Sequence, residues 1–103
     1  MKYISIARIK VDTNKLEEYK NILKEEIEAS LSLEDGVDVL YPVWDKENPG
    51  KFTILEVYDS EEVYKRHCTT PHLKKYFDLT KDMVKSLEIT ECIPLFDDIK
   101  MTV

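Results

Sequence analysis

The chain has 103 residues, of which 43% are apolar and 35% charged, and its net charge is −6. This length suits one domain over residues 1–103, and the acidic balance argues against a nucleic-acid partner, which would require a basic patch. The only two glycines, Gly36 and Gly50, stand at turn positions, so the sequence offers no glycine-rich loop for a nucleotide.

Cys68 and Cys92 lie far apart and form no Cys-x-x-Cys motif. Two isolated cysteines are typical of reduced thiols, so we predict a cytoplasmic protein without disulfides. The N-terminus enters a strand pattern directly, and no apolar run approaches the roughly 18 residues of a membrane-spanning helix. We therefore expect neither a signal peptide nor a membrane partner.

The first third of the chain predicts a strand and a long helix. Residues 2–11 place apolar side chains on both faces of a strand, so neither face is expected to lie fully in water. Asp12 or Thr13 can cap the helix that follows, and its charged residues, Glu26 among them, are interpreted as a solvated face. An apolar stripe at helical spacing is formed by Leu16, Tyr19, Leu23, Ile27 and Leu31.

The middle of the chain predicts a hairpin. Residues 37–45 and 52–59 alternate as strands, and the Asn-Pro-Gly sequence within residues 46–51 forms the turn between them. Pro42 lacks an N–H group, which predicts an edge strand, a bulge or an unpaired site in the ladder. One face of the second of these strands carries Phe52, Ile54, Glu56 and Tyr58.

The last part of the chain predicts two helical pieces and a strand. Asp59 is the expected cap of a short helix, and Thr70 is the expected cap of a second helix that begins at Pro71. The apolar stripe of this second helix is expected to run from His72 to Leu87. A fourth strand is predicted at 88–96, and the tail at 97–103 either extends it or packs on a partner.

The predicted order is β-α-β-β-α-β, which matches an α+β, ferredoxin-like fold with a four-stranded antiparallel sheet. Two helices cover only one face of such a sheet, yet the first, second and fourth strands carry large apolar residues on both faces. An uncovered apolar face of this size is unusual for a monomer. We therefore expect a homodimer whose two sheets pack face to face, with each ligand pocket between a sheet and its own helices.

Residues 56–77 carry a resemblance to a known family. The pattern joins Glu56 at a strand end to His67 at the end of a short helix, then to a Thr-Pro-His step at His72 and an aromatic pair ending at Phe77. This pattern resembles the antibiotic biosynthesis monooxygenase (ABM) family. The opening strand, the long first helix and the Asn-Pro hairpin fit as well, so the resemblance extends over nearly the whole chain.

The resemblance implies a dimeric α/β barrel. It also implies the activity of the family's small quinol monooxygenases, which use no metal, flavin or haem. The family further includes an isomerase of the phosphorylated autoinducer-2 signal and a haem-degrading branch. In that branch an iron-binding histidine lies where this chain has Tyr76, and a tryptophan lies where it has His67. We therefore expect no haem and no other cofactor.

Oxygenation of a phenol without a cofactor needs a base, hydrogen-bond donors for the developing oxyanion, and a pocket poor in water. The predicted catalytic residues are His67, His72 and Glu56, because imidazoles titrate near neutral pH and a buried carboxylate is expected to partner a histidine or a lysine. Predicted substrate contacts stack on a ring or donate hydrogen bonds. They are Tyr41, Trp44, Tyr58, Tyr76 and Phe77.

Structural roles for the same residues stay open. His67 can cap the end of the short helix, His72 can bind nearby backbone groups, and the aromatic side chains can belong to the core. A metal held by both histidines would have only Glu56 as a nearby third ligand, so we predict no metal.

Two other functions compete with the monooxygenase. The first is isomerisation of a small phosphorylated dicarbonyl, in which a histidine or glutamate moves a proton between adjacent carbons. Its phosphate would need a cation, and the available ones are Arg8, Lys24, Lys65 and Arg66. The second is a non-catalytic dimer that binds a small molecule.

Overall fold

The structure is a computed structural model that describes residues 1–96, so the predicted tail at 97–103 lies outside the described part. The strands are β1 (Tyr3–Val11), β2 (Val37–Trp44), β3 (Lys51–Tyr58) and β4 (Val84–Cys92). The helices are α1 (Leu16–Leu33), α2 (Glu61–His67) and α3 (Pro71–Thr80). Within residues 1–96, no helix is both long and apolar enough to cross a membrane.

The four strands form one antiparallel sheet in the order β2-β3-β1-β4, which confirms the ferredoxin-like arrangement. β2 lies at an edge of the sheet, where the missing N–H of Pro42 is tolerated. In the central pair, Ser5 lies opposite Glu56 and Ala7 lies opposite Ile54. This register places the polar Ser5 and Glu56 side by side at one end of an otherwise apolar face.

The core lies between the sheet and the helices. Its buried members on the sheet include Ala7, Ile9, Phe52, Ile54 and Tyr58. Its buried members on the helices are Tyr19, Leu23, Ile27 and Tyr76. Each large apolar side chain buried in this way stabilises the fold by roughly 1.5–3 kcal/mol, so this layer holds α1 and α3 on the sheet.

The fourth strand begins earlier than the sequence predicts. Helix α3 ends at Thr80, and the N–H of Met83 donates a hydrogen bond to the carbonyl of Thr80 at 2.8 Å in a tight turn. Val84 then pairs with Val11 of β1. Val84 and Leu87 therefore belong to a strand, because pairing with β1 overrides their helical spacing.

The start of the short helix α2 also differs from the prediction. Ser60, rather than Asp59, is the cap, and its Oγ accepts a hydrogen bond from the N–H of Val63 at 3.2 Å. The carboxylate of Asp59 instead binds the ammonium of Lys2 at 2.6 Å. The ion pair with Lys2 therefore replaces the predicted capping role of Asp59.

Two strand faces differ from the prediction as well. The register of β2 shifts between Val37 and Val39, and this irregularity turns Val37 into the core. On β4, the residues opposite Ile9 and Ala7 are Leu87 and Ile89, so they lie on the helix side of the sheet. The other face of β4 carries Glu88, Thr90 and Cys92. The prediction that this strand carries large apolar residues on both faces is therefore wrong.

Candidate active site

The segment between α2 and α3 holds both histidines in place. His67 is the last residue of α2, and Pro71 begins α3, so His72 stands in the first turn of that helix. The hydroxyl of Thr70 donates a hydrogen bond to the carbonyl of His67 at 2.8 Å, and that of Thr69 donates to the carbonyl of Arg66 at 2.8 Å. These two bonds satisfy carbonyls at the end of α2 and fix the chain reversal between the histidines.

The carboxylate of Glu34 joins the two histidines. Nδ1 of His67 lies 3.0 Å from Oε2 of Glu34, and Nε2 of His72 lies 2.5 Å from the same oxygen. The side chains of Glu34 and His67 are only 8% and 7% exposed. Glu34 follows the last residue of α1, so this contact ties the end of α1 to the α2–α3 junction.

The electrostatics of Glu34 favour its charged form. Burial acts to raise the pKa of this carboxyl, but hydrogen bonds from His72 and His67 outweigh it. The net result is a pKa below the ordinary value. Glu34 is therefore an anion that accepts from both imidazoles, and it sets which ring nitrogen of each histidine stays free.

Glu34 was missed in the sequence analysis, although one signal points to it. A negative charge at the C-terminal end of a helix is unfavourable, because the helix dipole is negative there. Glu34 and Asp35 both occupy that end of α1. An acidic residue in such a position needs a partner, and the two histidines supply it.

An apolar cavity of about 140 Å³ lies between the sheet and the helices. Its wall includes one histidine, His67, and two carboxyl residues, Glu26 of α1 and Glu56 of β3. Most of the remaining wall is aliphatic or aromatic. Those residues are Ala7, Ile9, Leu23, Ile27, Leu40, Ile54, Tyr64, Leu73, Tyr76, Phe77, Leu87 and Ile89, with Cys68.

Glu56 is held by hydroxyl groups, whereas its expected partner was a histidine or a lysine. The hydroxyls of Tyr58 and Ser5 donate to its Oε1 at 2.7 Å and 3.2 Å. Burial raises the pKa of Glu56 above its ordinary value, although both hydrogen bonds act against this rise. Glu56 is therefore a carboxyl that keeps a proton more readily than an exposed one.

The two histidines face different spaces. His67 lines the inner cavity, whereas His72 lines a wide cleft that opens to solvent beside Glu34, Arg66 and Lys75. The side chain of His72 is 17% exposed, more than twice the value for His67. Glu34 thus connects a buried imidazole at the cavity with an imidazole at the surface.

The predicted substrate contacts divide between several places. Tyr76 and Phe77 line the cavity, and the hydroxyl of Tyr76 is paired with that of Tyr19 at 2.5 Å. Tyr58 is fully buried beside the cavity, where it binds Glu56. Trp44 lies at the β2 edge, stacked on Phe52, in a separate groove. Tyr41 lies on the opposite face of the sheet and is 58% exposed, so it does not line this cavity.

One residue set in the described part could hold a metal ion. A ligand atom from each of Glu26, His67 and His72 lies within 4.8 Å of the others. Two imidazoles and a carboxylate suit zinc or iron(II). Glu56 was the third ligand that the sequence suggested, but the structure places Glu26 in that position.

Comparison with known proteins identifies the family. The family model described as antibiotic biosynthesis monooxygenase matches residues 2–79. A candidate antibiotic biosynthesis monooxygenase from Bacteroides thetaiotaomicron is 50% identical, with a TM-score of 0.92 over 98% of this chain and 96% of that chain. The chain belongs to the antibiotic biosynthesis monooxygenase family.

More distant solved structures share the fold. A candidate monooxygenase from Lactobacillus acidophilus is 27% identical with a TM-score of 0.87, and the match covers 89% of this chain but only 44% of that one. A Nitrosomonas europaea protein is 21% identical with a TM-score of 0.86, covering 93% of this chain and 92% of that chain. No curated protein matches this chain.

Proposed function

We propose that this protein is a cofactor-independent monooxygenase that oxidises a small phenol or hydroquinone with dioxygen. The observation that carries the proposal is the Glu34–His67 pair at the wall of an apolar cavity. Membership of the monooxygenase family supports the class of reaction. The chemistry of the cavity supports the kind of substrate.

The size of the cavity favours a single aromatic ring. Its volume is about 140 Å³. An apolar protein cavity of about 150 Å³ can hold benzene, so this space suits one ring and not a fused ring system. Tyr76 and Phe77 in the wall provide aromatic contacts, and the aliphatic residues around them provide an apolar lining.

His67 is the proposed base. Glu34 accepts a hydrogen bond from Nδ1–H of His67, which leaves Nε2 with a lone pair that can take a proton. The carboxylate also stabilises the imidazolium that forms, as the acidic member of a catalytic triad does. A phenol in the cavity would give its proton to Nε2 and become an electron-rich phenolate.

The phenolate can supply all the electrons that the reaction needs. Dioxygen accepts four electrons: one oxygen atom is inserted into a ring C–H bond and the other leaves as water. A hydroquinone, C₆H₆O₂, and O₂ thus yield a hydroxyquinone, C₆H₄O₃, and H₂O. The atoms and electrons balance without an external reductant, which is consistent with a site that relies on a base and an apolar wall.

His72 fixes the position of Glu34. Its Nε2–H donates to Oε2 of Glu34, the oxygen that also accepts from Nδ1–H of His67, so Glu34 stays an anion beside the base. The overall reaction releases no proton to solvent, because the proton that Nε2 of His67 takes from the phenol leaves in the product water. In this proposal His72 is a positioning residue, and Glu56 accepts a hydrogen bond from the substrate.

Oxygen uptake with a panel of single-ring hydroquinones tests the proposal. The wild type should consume one O₂ per substrate and release the hydroxylated quinone, which is detected by its absorbance. A Lys74→Ala variant is the matched control, because Lys74 lies on the exposed side of α3 and, within residues 1–96, its ammonium pairs only with Asp78. Absence of uptake with the whole panel would contradict the proposal and leave a binding protein as the better interpretation.

The competing isomerase has one observation in its favour. Arg66 and Lys75 border the open cleft next to His72, where a phosphate could meet both cations. Arg66 already donates to the carbonyl of Asp35, and Lys75 pairs with Glu25. Arg8 and Lys65 are engaged with Glu88 and Glu61, away from the cavity. The cations that such a substrate needs are therefore outside the cavity that holds His67.

We also propose that two copies pair through the sheet face that lies away from the helices. This face carries exposed Tyr41, Val43 and Leu55 together with half-buried Ile4 and Ile6. An apolar surface of this kind favours a protein partner, and a second copy of the chain can pair with it about a two-fold axis. The two separated cysteines indicate a cytoplasmic location, which remains a prediction.

A further inference from the structure

Two carboxyl groups lie in the wall of a mainly apolar cavity. Glu26 comes from α1 and is only 7% exposed, although the sequence analysis placed it on a solvated face. Glu56 comes from β3 on the other side of the cavity. Repulsion from Glu26 is among the causes that raise the pKa of Glu56, so the two groups are close enough to influence each other.

Each carboxyl is anchored through one oxygen. The hydroxyl of Ser30 donates to Oε1 of Glu26 at 2.6 Å. Both donors to Glu56, the hydroxyls of Ser5 and Tyr58, bind its Oε1. Among the side chains of residues 1–96, none donates to Oε2 of Glu26 or of Glu56. The two carboxyls are thus fixed in orientation, and each has an oxygen available to a ligand.

The cavity wall has no lysine or arginine among the described residues. A phosphate or carboxylate on a ligand would enter beside two carboxyl groups without a lysine or arginine to pair with. Burying such an unpaired charge is strongly unfavourable. A hydroxyl group on a ring, in contrast, is neutral and can donate to a carboxylate oxygen.

We propose that Glu26 and Glu56 are specificity-determining residues that select an uncharged ring with two hydroxyl groups and reject anionic rings. One hydroxyl lies beside Oε2 of Glu26 and His67, whose ligand atoms are within 4.8 Å of each other, and His67 takes its proton during turnover. The other hydroxyl donates to Oε2 of Glu56, and the ring fills the apolar space between the two carboxyls. This inference rests on the proposed function for its substrate class. It adds the residues that choose the substrate, and it excludes phosphorylated ligands from this cavity.

Anaerobic binding measurements test the selection without turnover. Isothermal titration with hydroquinone, phenol and 2,5-dihydroxybenzoate should give the tightest binding for hydroquinone. A hydrogen bond to a charged group is worth enough to change affinity by roughly 10- to 100-fold, so phenol should bind weaker by about that factor. The added carboxylate should weaken the binding of 2,5-dihydroxybenzoate by at least the same factor.

The variants Glu26→Gln and Glu56→Gln should bring the affinities for hydroquinone and 2,5-dihydroxybenzoate closer together, and Lys74→Ala should leave their ratio unchanged. Equal affinity of the wild type for the two ligands would overturn the inference, and this comparison needs no variant to fold. No binding of hydroquinone at millimolar concentration would overturn it as well. Selective binding without oxygen uptake would support this inference and contradict the monooxygenase.

Discussion

Nδ1 of His67 lies 3.0 Å from a carboxylate oxygen of Glu34, although 33 positions separate the two residues. The same oxygen binds His72, so a single residue at the end of α1 orients both histidines. The buried member faces an apolar cavity and the more exposed one faces solvent. This arrangement assigns the two histidines different roles, which experiments can separate.

Replacement of His67 by alanine should abolish most oxygen uptake, whereas His72→Ala should reduce it less. A general base contributes roughly 10²- to 10⁴-fold to the rate, and His67 is the base in the proposal. In His72→Ala the base remains, but Glu34 loses one of its two imidazole partners. His72→Gln, whose amide N–H can still donate to Glu34, should keep more activity than His72→Ala. Initial rates in an oxygen electrode, with Lys74→Ala as control, check these expectations. Equal loss in His67→Ala and His72→Ala would contradict the positioning role of His72.

Glu34→Gln should destabilise the fold at neutral pH by about 1–3 kcal/mol, because it replaces the charged acceptor shared by His67 and His72 with a neutral amide. The pKa of Glu34 is lower in the folded state than its ordinary value of 4.5. The stability that Glu34 contributes is therefore present above pH 4.5 and is lost as the pH falls through the folded-state value. Urea unfolding at several pH values measures this loss, which Glu34→Gln should lack.

The contribution of Glu56 to stability should have the opposite dependence on pH, and Glu56→Gln should remove it. The pKa of Glu56 is raised above 4.5 by burial, so the folded state binds this proton more tightly than the unfolded state does. Wild-type stability should fall as the pH rises through the window above 4.5, and the variant should lose that slope. The exposed loop residue Glu47 provides the control, since Glu47→Gln should leave the slope unchanged.

Removal of metal should leave the activity unchanged. Glu26, His67 and His72 could hold a divalent ion, but the proposed reaction needs only the base, the phenolate and dioxygen. Dialysis against EDTA followed by oxygen-uptake assays checks this expectation, with metal content measured by mass spectrometry. A loss of activity that zinc or iron(II) restores would show instead that these three residues form a metal centre.

Leu55→Asp should convert the proposed dimer into a monomer. Leu55 lies on the sheet face away from the helices and is 36% exposed in the single chain, so a charge there would be buried on pairing. Light scattering at micromolar concentration should give twice the chain mass for the wild type and the chain mass for the variant. Val43→Asp is a second substitution on the same face, and Lys74→Ala should not change the mass. A wild-type monomer would contradict the dimer.

The sequence alone determined the order of elements and the family. Alternation in the strands and the Thr-Pro step before His72 are local features, so they can be recognised without knowing which distant residues meet. The sequence also identified His67, Glu56, Tyr76 and Phe77, which the fold brings to one cavity. It misplaced the start of β4, because pairing with β1 outweighs the helical spacing of Val84 and Leu87.

Only the tertiary structure decided which residues complete the site. Glu34 and Glu26 look like ordinary surface carboxylates of an amphipathic helix, since helical spacing says nothing about what packs on each turn. Docking of the α2–α3 junction on the end of α1 buries Glu34 between two histidines, and closure of the helices over the sheet places Glu26 in the cavity. Their surroundings come from contacts between distant segments, which one sequence does not reveal.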